Sequence, residues 1–116
     1  MDVVFAHPNE RLRGLYSSKF PPEIKFHHAV DGISALRKVK LIHPHLVLSD
    51  YRLPYLSGLA LLKYLKSHPK FHSIPFVFLT DHLDVAACLS YGANEWIPLS
   101  SSTPEYIIKR VYYHLK

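Results

Sequence analysis

Five times along this chain a short apolar run is followed by a segment with helical periodicity, and that alternation leaves little choice of fold. The apolar runs are Val3-Val4-Phe5-Ala6, Ile24 to Val30, Leu46 to Ser49, Pro75 to Thr80 and Glu95 to Leu99. Each has the length of a strand rather than of a helix. Between and after them lie Glu10 to Ser18, Ile33 to Ile42, Leu59 to Leu65, Asp84 to Tyr91 and a closing segment from Pro104. Repeated βα units of this length require parallel strands, right-handed crossovers and helices on both faces of the sheet. The predicted fold is therefore α/β: a single five-stranded parallel sheet of flavodoxin-like order 2-1-3-4-5, in three α/β/α layers.

The punctuation supports these elements. Pro44 stops the second helix, and Gly92 lies just past the fourth. Ser102 or Thr103 is expected to cap the last helix, with Pro104 at its first position and Glu105 in its first turn. Pro98 implies an edge position for the last strand. The expected buried stripes are Ile33, Leu36, Val39 and Ile42, then Leu59, Leu62 and Leu65, then Ile107, Ile108, Val111 and Leu115. In the second strand Ile24, Phe26, His28 and Val30 alternate with Lys25 and His27, which suggests an outer, half-buried strand with the former set turned inward.

The chain of 116 residues suits one domain, 1–116, either a stand-alone adaptor or the N-terminal part of a longer regulator. A hydrophobic content of 48% excludes an intrinsically disordered chain. No apolar run reaches membrane-spanning length and no signal pattern opens the sequence. A single cysteine, Cys88, rules out an internal disulfide, fits a reducing, cytoplasmic setting and reads as a small helix residue.

The net charge of +5 is scattered, with its densest group at Arg37, Lys38 and Lys40. No recognition helix or aromatic-interleaved basic ribbon accompanies it, so neither direct nucleic-acid binding nor membrane contact is expected. The nine histidines have poor metal spacing. His27 and His28 are neighbours on a strand and point to opposite faces; His43 and His45 flank Pro44, and Pro69 separates His68 from His72. They read as exposed loop histidines.

Leu46-Val47-Leu48-Ser49 ends on a lone carboxylate, Asp50, and the Pro- and Gly-punctuated loop Tyr51 to Gly58 follows. A buried strand ending there delivers Asp50 to the carboxyl rim of the sheet, where ligands bind in open α/β folds. Thr80, at the end of the next apolar run, brings a hydroxyl to the same rim. A flavin site is disfavoured, because His7-Pro8-Asn9-Glu10 lacks a Gly/Ser/Thr-rich phosphate cradle.

These residues resemble a receiver domain of two-component response regulators over nearly the whole chain. Ala29-Val30-Asp31-Gly32-Ile33-Ser34-Ala35-Leu36 resembles the start of the family's second helix. Pro44 to Asp50, with Leu53-Pro54 and Gly58, resembles its phosphoacceptor strand and loop; Ile74-Pro75 through Thr80 and Tyr91 to Trp96 resemble its later motifs. The resemblance implies that Asp50 accepts a phosphoryl group from a histidine kinase. It also implies that Thr80 hydrogen-bonds that group and that Trp96 is the switch aromatic.

The chain departs from the family where charge is handled. The acidic pair that holds Mg²⁺ falls on Phe5 and Ala6, the family's lysine on Leu99 and its proline on Ser100. Imidazole from His7 is a poor substitute for hard oxygen ligands. Arg52, two residues past Asp50, is a candidate surrogate cation. The favoured reading is a degenerate, non-enzymatic receiver in a phosphorelay, acting through protein contacts, with no cofactor and no metal. The alternative is a receiver phosphorylated on Asp50, which alone would call for Mg²⁺. Expected partners are a histidine kinase, an effector domain or a second copy, met through the last strand and its flanking helices, with Trp96, Tyr106, Tyr112 and Tyr113 on that surface.

Overall fold

The computed structural model describes residues 1–81 and 84–115. Five strands, β1 (Asp2–Ala6), β2 (Lys25–Ala29), β3 (Leu46–Ser49), β4 (Phe76–Leu79) and β5 (Glu95–Ile97), form one parallel sheet of order β2-β1-β3-β4-β5. They alternate with α1 (Glu10–Ser17), α2 (Gly32–Ile42), α3 (Gly58–Ser67), α4 (Val85–Ser90) and α5 (Pro104–Leu115). The expected class, order and layering are all present.

Period-two alternation sorts the strand residues between two cores. Val3, Phe5, Leu46, Leu48, Val77, Leu79 and Ile97 pack with Ile107, Val111 and Leu115 of α5, against Leu12 and Tyr16 of α1. Val4, Ala6, Val47, Phe76 and Phe78 face the other way, onto Ala35 and Val39 of α2, Leu61, Leu62 and Leu65 of α3, and Cys88 of α4. The three central strands are buried on both faces, which is why they read as unbroken apolar runs.

Each helix opens on a side-chain cap. Asn9, Asp31, Ser57, Asp84 and Thr103 accept backbone N–H bonds from Leu12, Ser34, Ala60, Ala87 and Tyr106 at 2.7–3.1 Å. A cap of this kind is worth about 1 kcal/mol. Of the two residues proposed to cap the last helix, the structure selects Thr103.

Three expectations about burial need correction. On α2 the buried residues are Gly32, Ala35 and Val39, while Ile33 is exposed; packing against the sheet turns the stripe toward the smaller side chains. Val30 lies past the end of β2 and is exposed. Tyr112 packs inward, its ring 5.7 Å from that of Phe20, and so leaves the surface on which it was expected.

Gly32 is where α2 meets the loop after β3. Its N–H donates to the Pro54 carbonyl at 3.2 Å, and a Cβ there would lie 1.8 Å from the Leu56 carbonyl oxygen. Gly14, within α1, has nothing within 4 Å of its Cβ position. Gly32→Ala is therefore expected to destabilise the domain by about 1–3 kcal/mol through backbone displacement. Gly14→Ala is expected to stabilise it by roughly 0.5–1 kcal/mol. Urea unfolding of both variants checks the opposite signs.

Candidate functional site

The carboxyl ends of β1, β3 and β4 place His7, Asp50 and Thr80 on one rim of the sheet, each under 9% exposed. The ladder runs one residue past the strand ends. The Asp50 N–H donates to the Ala6 carbonyl at 2.8 Å, and the Thr80 N–H to the Ile97 carbonyl at 3.1 Å. The Ser49 hydroxyl donates to the Asp50 carbonyl at 2.8 Å. Gly58 makes room for that carbonyl, since a Cβ there would lie 2.3 Å from the oxygen.

The Asp50 carboxylate has two distinct oxygens. Oδ1 accepts the Tyr51 N–H at 2.7 Å. Oδ2 lies 3.5 Å from Nε2 of His7. The aligned acidic pair had been placed on Phe5 and Ala6, but Phe5 points into the α1/α5 core and Ala6 into the other. The side chain that faces Asp50 from the end of β1 is His7. Sequence reasoning named His7 only in passing, because an imidazole there fits no ligand pattern.

Three of the four polar groups of His7 are hydrogen-bonded. Its N–H donates to the Ala29 carbonyl at 3.0 Å, and its carbonyl accepts from Nε of the buried Arg13 at 2.8 Å. Nδ1 accepts the Asn9 N–H at 3.0 Å. An imidazole nitrogen that accepts carries no proton, so the hydrogen-bond network assigns the proton of the neutral ring to Nε2. Nε2, the ring nitrogen nearer Asp50, then carries the proton and stands 3.5 Å from Oδ2, a contact longer than a formed hydrogen bond. Burial lowers the His7 pKa from its ordinary 6.5, the Asp50 carboxylate opposes that shift, and Arg13 adds to it.

This rim does not fit a magnesium ion. Mg²⁺ takes oxygen ligands in octahedral array. Here one carboxylate oxygen is held by a backbone N–H, and the other faces an imidazole whose near nitrogen has no free lone pair. Among the described residues no three His, Cys, Asp or Glu side chains converge as a metal site.

The other sequence candidates are spread around this pair. Leu99 and Ser100 stand where a lysine and a proline would: Leu99 packs on the α1/α5 core, and Ser100 donates from N and Oγ to Asp81 Oδ1 at 2.9 and 3.1 Å. Asp81, next to Thr80, escaped the sequence reading because no motif distinguishes it from an ordinary loop acid. Arg52 is exposed on the β3–α3 loop, whereas the buried cation at the end of β1 is Arg13. Half-buried Trp96 donates from Nε1 to the Thr80 carbonyl at 2.8 Å, tying the aromatic of β5 to the hydroxyl residue of β4. Beyond it, Glu95 takes two hydrogen bonds from Arg110 Nε and one from Arg110 Nη2, and lies 2.7 Å from His114 Nε2. Burial pushes the Glu95 carboxyl up, but those bonds outweigh it and hold it below its ordinary 4.5.

The sheet order, the lone acid on β3, the hydroxyl on β4 and the aromatic on β5 together define a receiver-type domain. The sequence profile of the response regulator receiver domain matches residues 17–111. The chain belongs to that family and is a receiver domain of the two-component response regulators.

The DNA-binding transcriptional regulator NtrC of Proteus hauseri is 31% identical over 96 residues, covering 78% of this chain and 19% of NtrC. The DNA-binding response regulator MtrA of Mycobacterium tuberculosis is 33% identical over 89 residues, covering 74% of this chain and 37% of MtrA. The chain thus spans well under half the length of these curated relatives. In fold it is similar to the chemotaxis response regulator CheY4 of Vibrio cholerae, with a TM-score of 0.87, 20% identity and 97% of each chain covered.

The buried His7 and the half-buried His28 set a pH dependence. His7 and His28 both have pKa values below the ordinary 6.5, each chiefly through burial. Below pH 6.5 the unfolded chain takes up protons that the native state resists, so stability falls as pH drops from 6.5 toward the two folded values. Glu95, with a depressed pKa, loses its contribution only below its unfolded 4.5. Unfolding free energy measured between neutral pH and the carboxylate range should decline, and less steeply in His7→Gln. An unchanged slope in that variant would remove His7 from the explanation.

Proposed function

We propose that this domain is a receiver that signals through protein contacts without ordinary Mg²⁺-dependent phosphorylation of Asp50. The single observation that carries this reading is the His7–Asp50 pairing, in which an imidazole rather than an oxygen ligand stands 3.5 Å from Asp50 Oδ2 at the rim. Phosphoryl transfer depends on positioning and on neutralising charge at the transferred group. A divalent ion and a lysine ordinarily do this, and here their places are taken by His7 and Leu99. A phosphoryl group brought beside Asp50 would meet a second negative charge in a buried setting, where the side chain beside Oδ2 is an imidazole that burial keeps from taking up charge.

In this reading Asp50 and Thr80 keep the receiver's architecture rather than its chemistry, and the domain has no enzymatic role of its own. The output surface is the face of α4, β5 and α5. Tyr106 and Tyr113 are exposed there, and the Arg110 guanidinium lies 4.5 Å from the Tyr113 ring centre. Its partners are a kinase, an effector domain or a second copy, in a cytoplasmic setting; no helix among the described residues is long and apolar enough to cross a membrane.

Incubation with acetyl phosphate and Mg²⁺, followed by intact-mass measurement, tests the proposal. The expected result is no added phosphate on the native chain. A phosphate adduct that disappears in Asp50→Asn would establish the alternative, a working phosphoacceptor.

A further inference from the structure

The charge of this domain is segregated to a degree that its composition conceals. Half of its 14 lysines and arginines lie between Gly32 and Thr80, but only one of its 9 acids does. That acid is Asp50, buried at the rim. The segment contains α2 and α3, which cover one face of the sheet, so along these two helices the cations have no carboxylate beside them apart from the Asp31 cap at the N-terminal end of α2. The opposite layer mixes signs, with Glu10 beside Arg11 on α1 and Glu105 with Lys109 on α5.

Between the C-terminal ends of α2 and α3 the layer opens into a cleft of about 260 Å³, lined by Lys40, His43, Tyr64, His68, Lys70 and Phe71. Its floor is a chain of rings. His43 to Phe71 is 5.3 Å between centres, Phe71 to His68 4.7 Å, and His68 to Tyr64 5.7 Å. Lys40 Nζ sits 5.0 Å from the Tyr64 ring centre, and Lys40 and Lys70 are both exposed. The Lys70 N–H donates to His68 Nδ1 at 3.2 Å, which leaves the proton of neutral His68 on Nε2. The cleft therefore offers cations, N–H donors and an apolar floor. Lys66 differs: its ammonium is spent on the His72 and Ile74 carbonyls and Asn94 Oδ1, where it pins α3 to the loops beside it.

We infer that the α2–α3 face docks an acidic segment of a protein partner, with a carboxylate held between Lys40 and Lys70 and its aliphatic or aromatic neighbour lying on the ring floor. Charge complementarity over the whole layer supplies attraction and orientation. The size of the cleft fits one or two side chains. Leu41, 82% exposed at the same end of α2, adds the apolar contact that a protein partner would use. This surface is distinct from the α4, β5 and α5 face and does not depend on whether Asp50 is phosphorylated.

The test titrates the full chain with a fluorescein-labelled peptide of alternating glutamate and phenylalanine, read by anisotropy and by amide NMR. Shifts are expected at residues 37–43 and 64–72. Lys40→Glu with Lys70→Glu should weaken binding about tenfold or more, because two attractive charges become repulsive. Lys19→Glu with Lys109→Glu makes the same change in net charge on the opposite layer and should leave affinity within about twofold. Equal weakening by both pairs, or shifts scattered over the surface, would reduce the face to non-specific charge and overturn the inference. Tighter binding of a mixed-sequence DNA duplex or of phosphatidylserine vesicles at the same ionic strength would overturn it in favour of a different occupant.

Discussion

One backbone hydrogen bond, from the Asp50 N–H to the Ala6 carbonyl, sets the character of this domain. It extends the β1–β3 ladder past both strands and brings the residue after Ala6 alongside the residue after Ser49. Whatever stands at position 7 must then share a buried rim with the Asp50 carboxylate. In this chain that residue is a histidine whose Nδ1 accepts the Asn9 N–H and whose Nε2 stands 3.5 Å from Asp50 Oδ2. Asn9 also caps α1 through its side chain, so one residue fixes both the start of the helix and the protonation of the imidazole.

A buried carboxylate without a partner is costly, by several kcal/mol in low dielectric, and proteins supply a metal, a cation or hydrogen-bond donors. Here the Tyr51 N–H donates to Oδ1 at 2.7 Å, and the His7 imidazole lies 3.5 Å from Oδ2. Leu99, in the place of a cation, contributes instead to the α1/α5 core.

The fold was legible because α/β layering is written in residue alternation. The runs through Val3–Ala6, Leu46–Ser49 and Phe76–Leu79 are apolar at every position but the last of the second, Ser49, as suits strands covered on both faces. The caps at Asn9, Asp31, Ser57, Asp84 and Thr103 are similarly local signals. What escaped the sequence was set by three-dimensional packing. The buried face of α2 follows Ala35 and Val39 rather than the larger Ile33 and Ile42, because close approach to the sheet favours small side chains. At the site, Asp50, Thr80 and Trp96 could be aligned with family motifs, and the roles assigned to them there rest on that resemblance. His7, Arg13 and Asp81 could not be found this way, since their importance lies in contacts between strand ends that no spacing rule encodes.

The most direct measurement is a Mg²⁺ titration followed on the His7 imidazole by NMR. The His7–Asp50 pairing predicts a neutral ring protonated on Nε2 at neutral pH, with ring resonances that stay in place as Mg²⁺ rises through the millimolar range. A saturable shift of those resonances, abolished in Asp50→Asn, would show that the rim binds the ion after all and would contradict the pairing as its replacement.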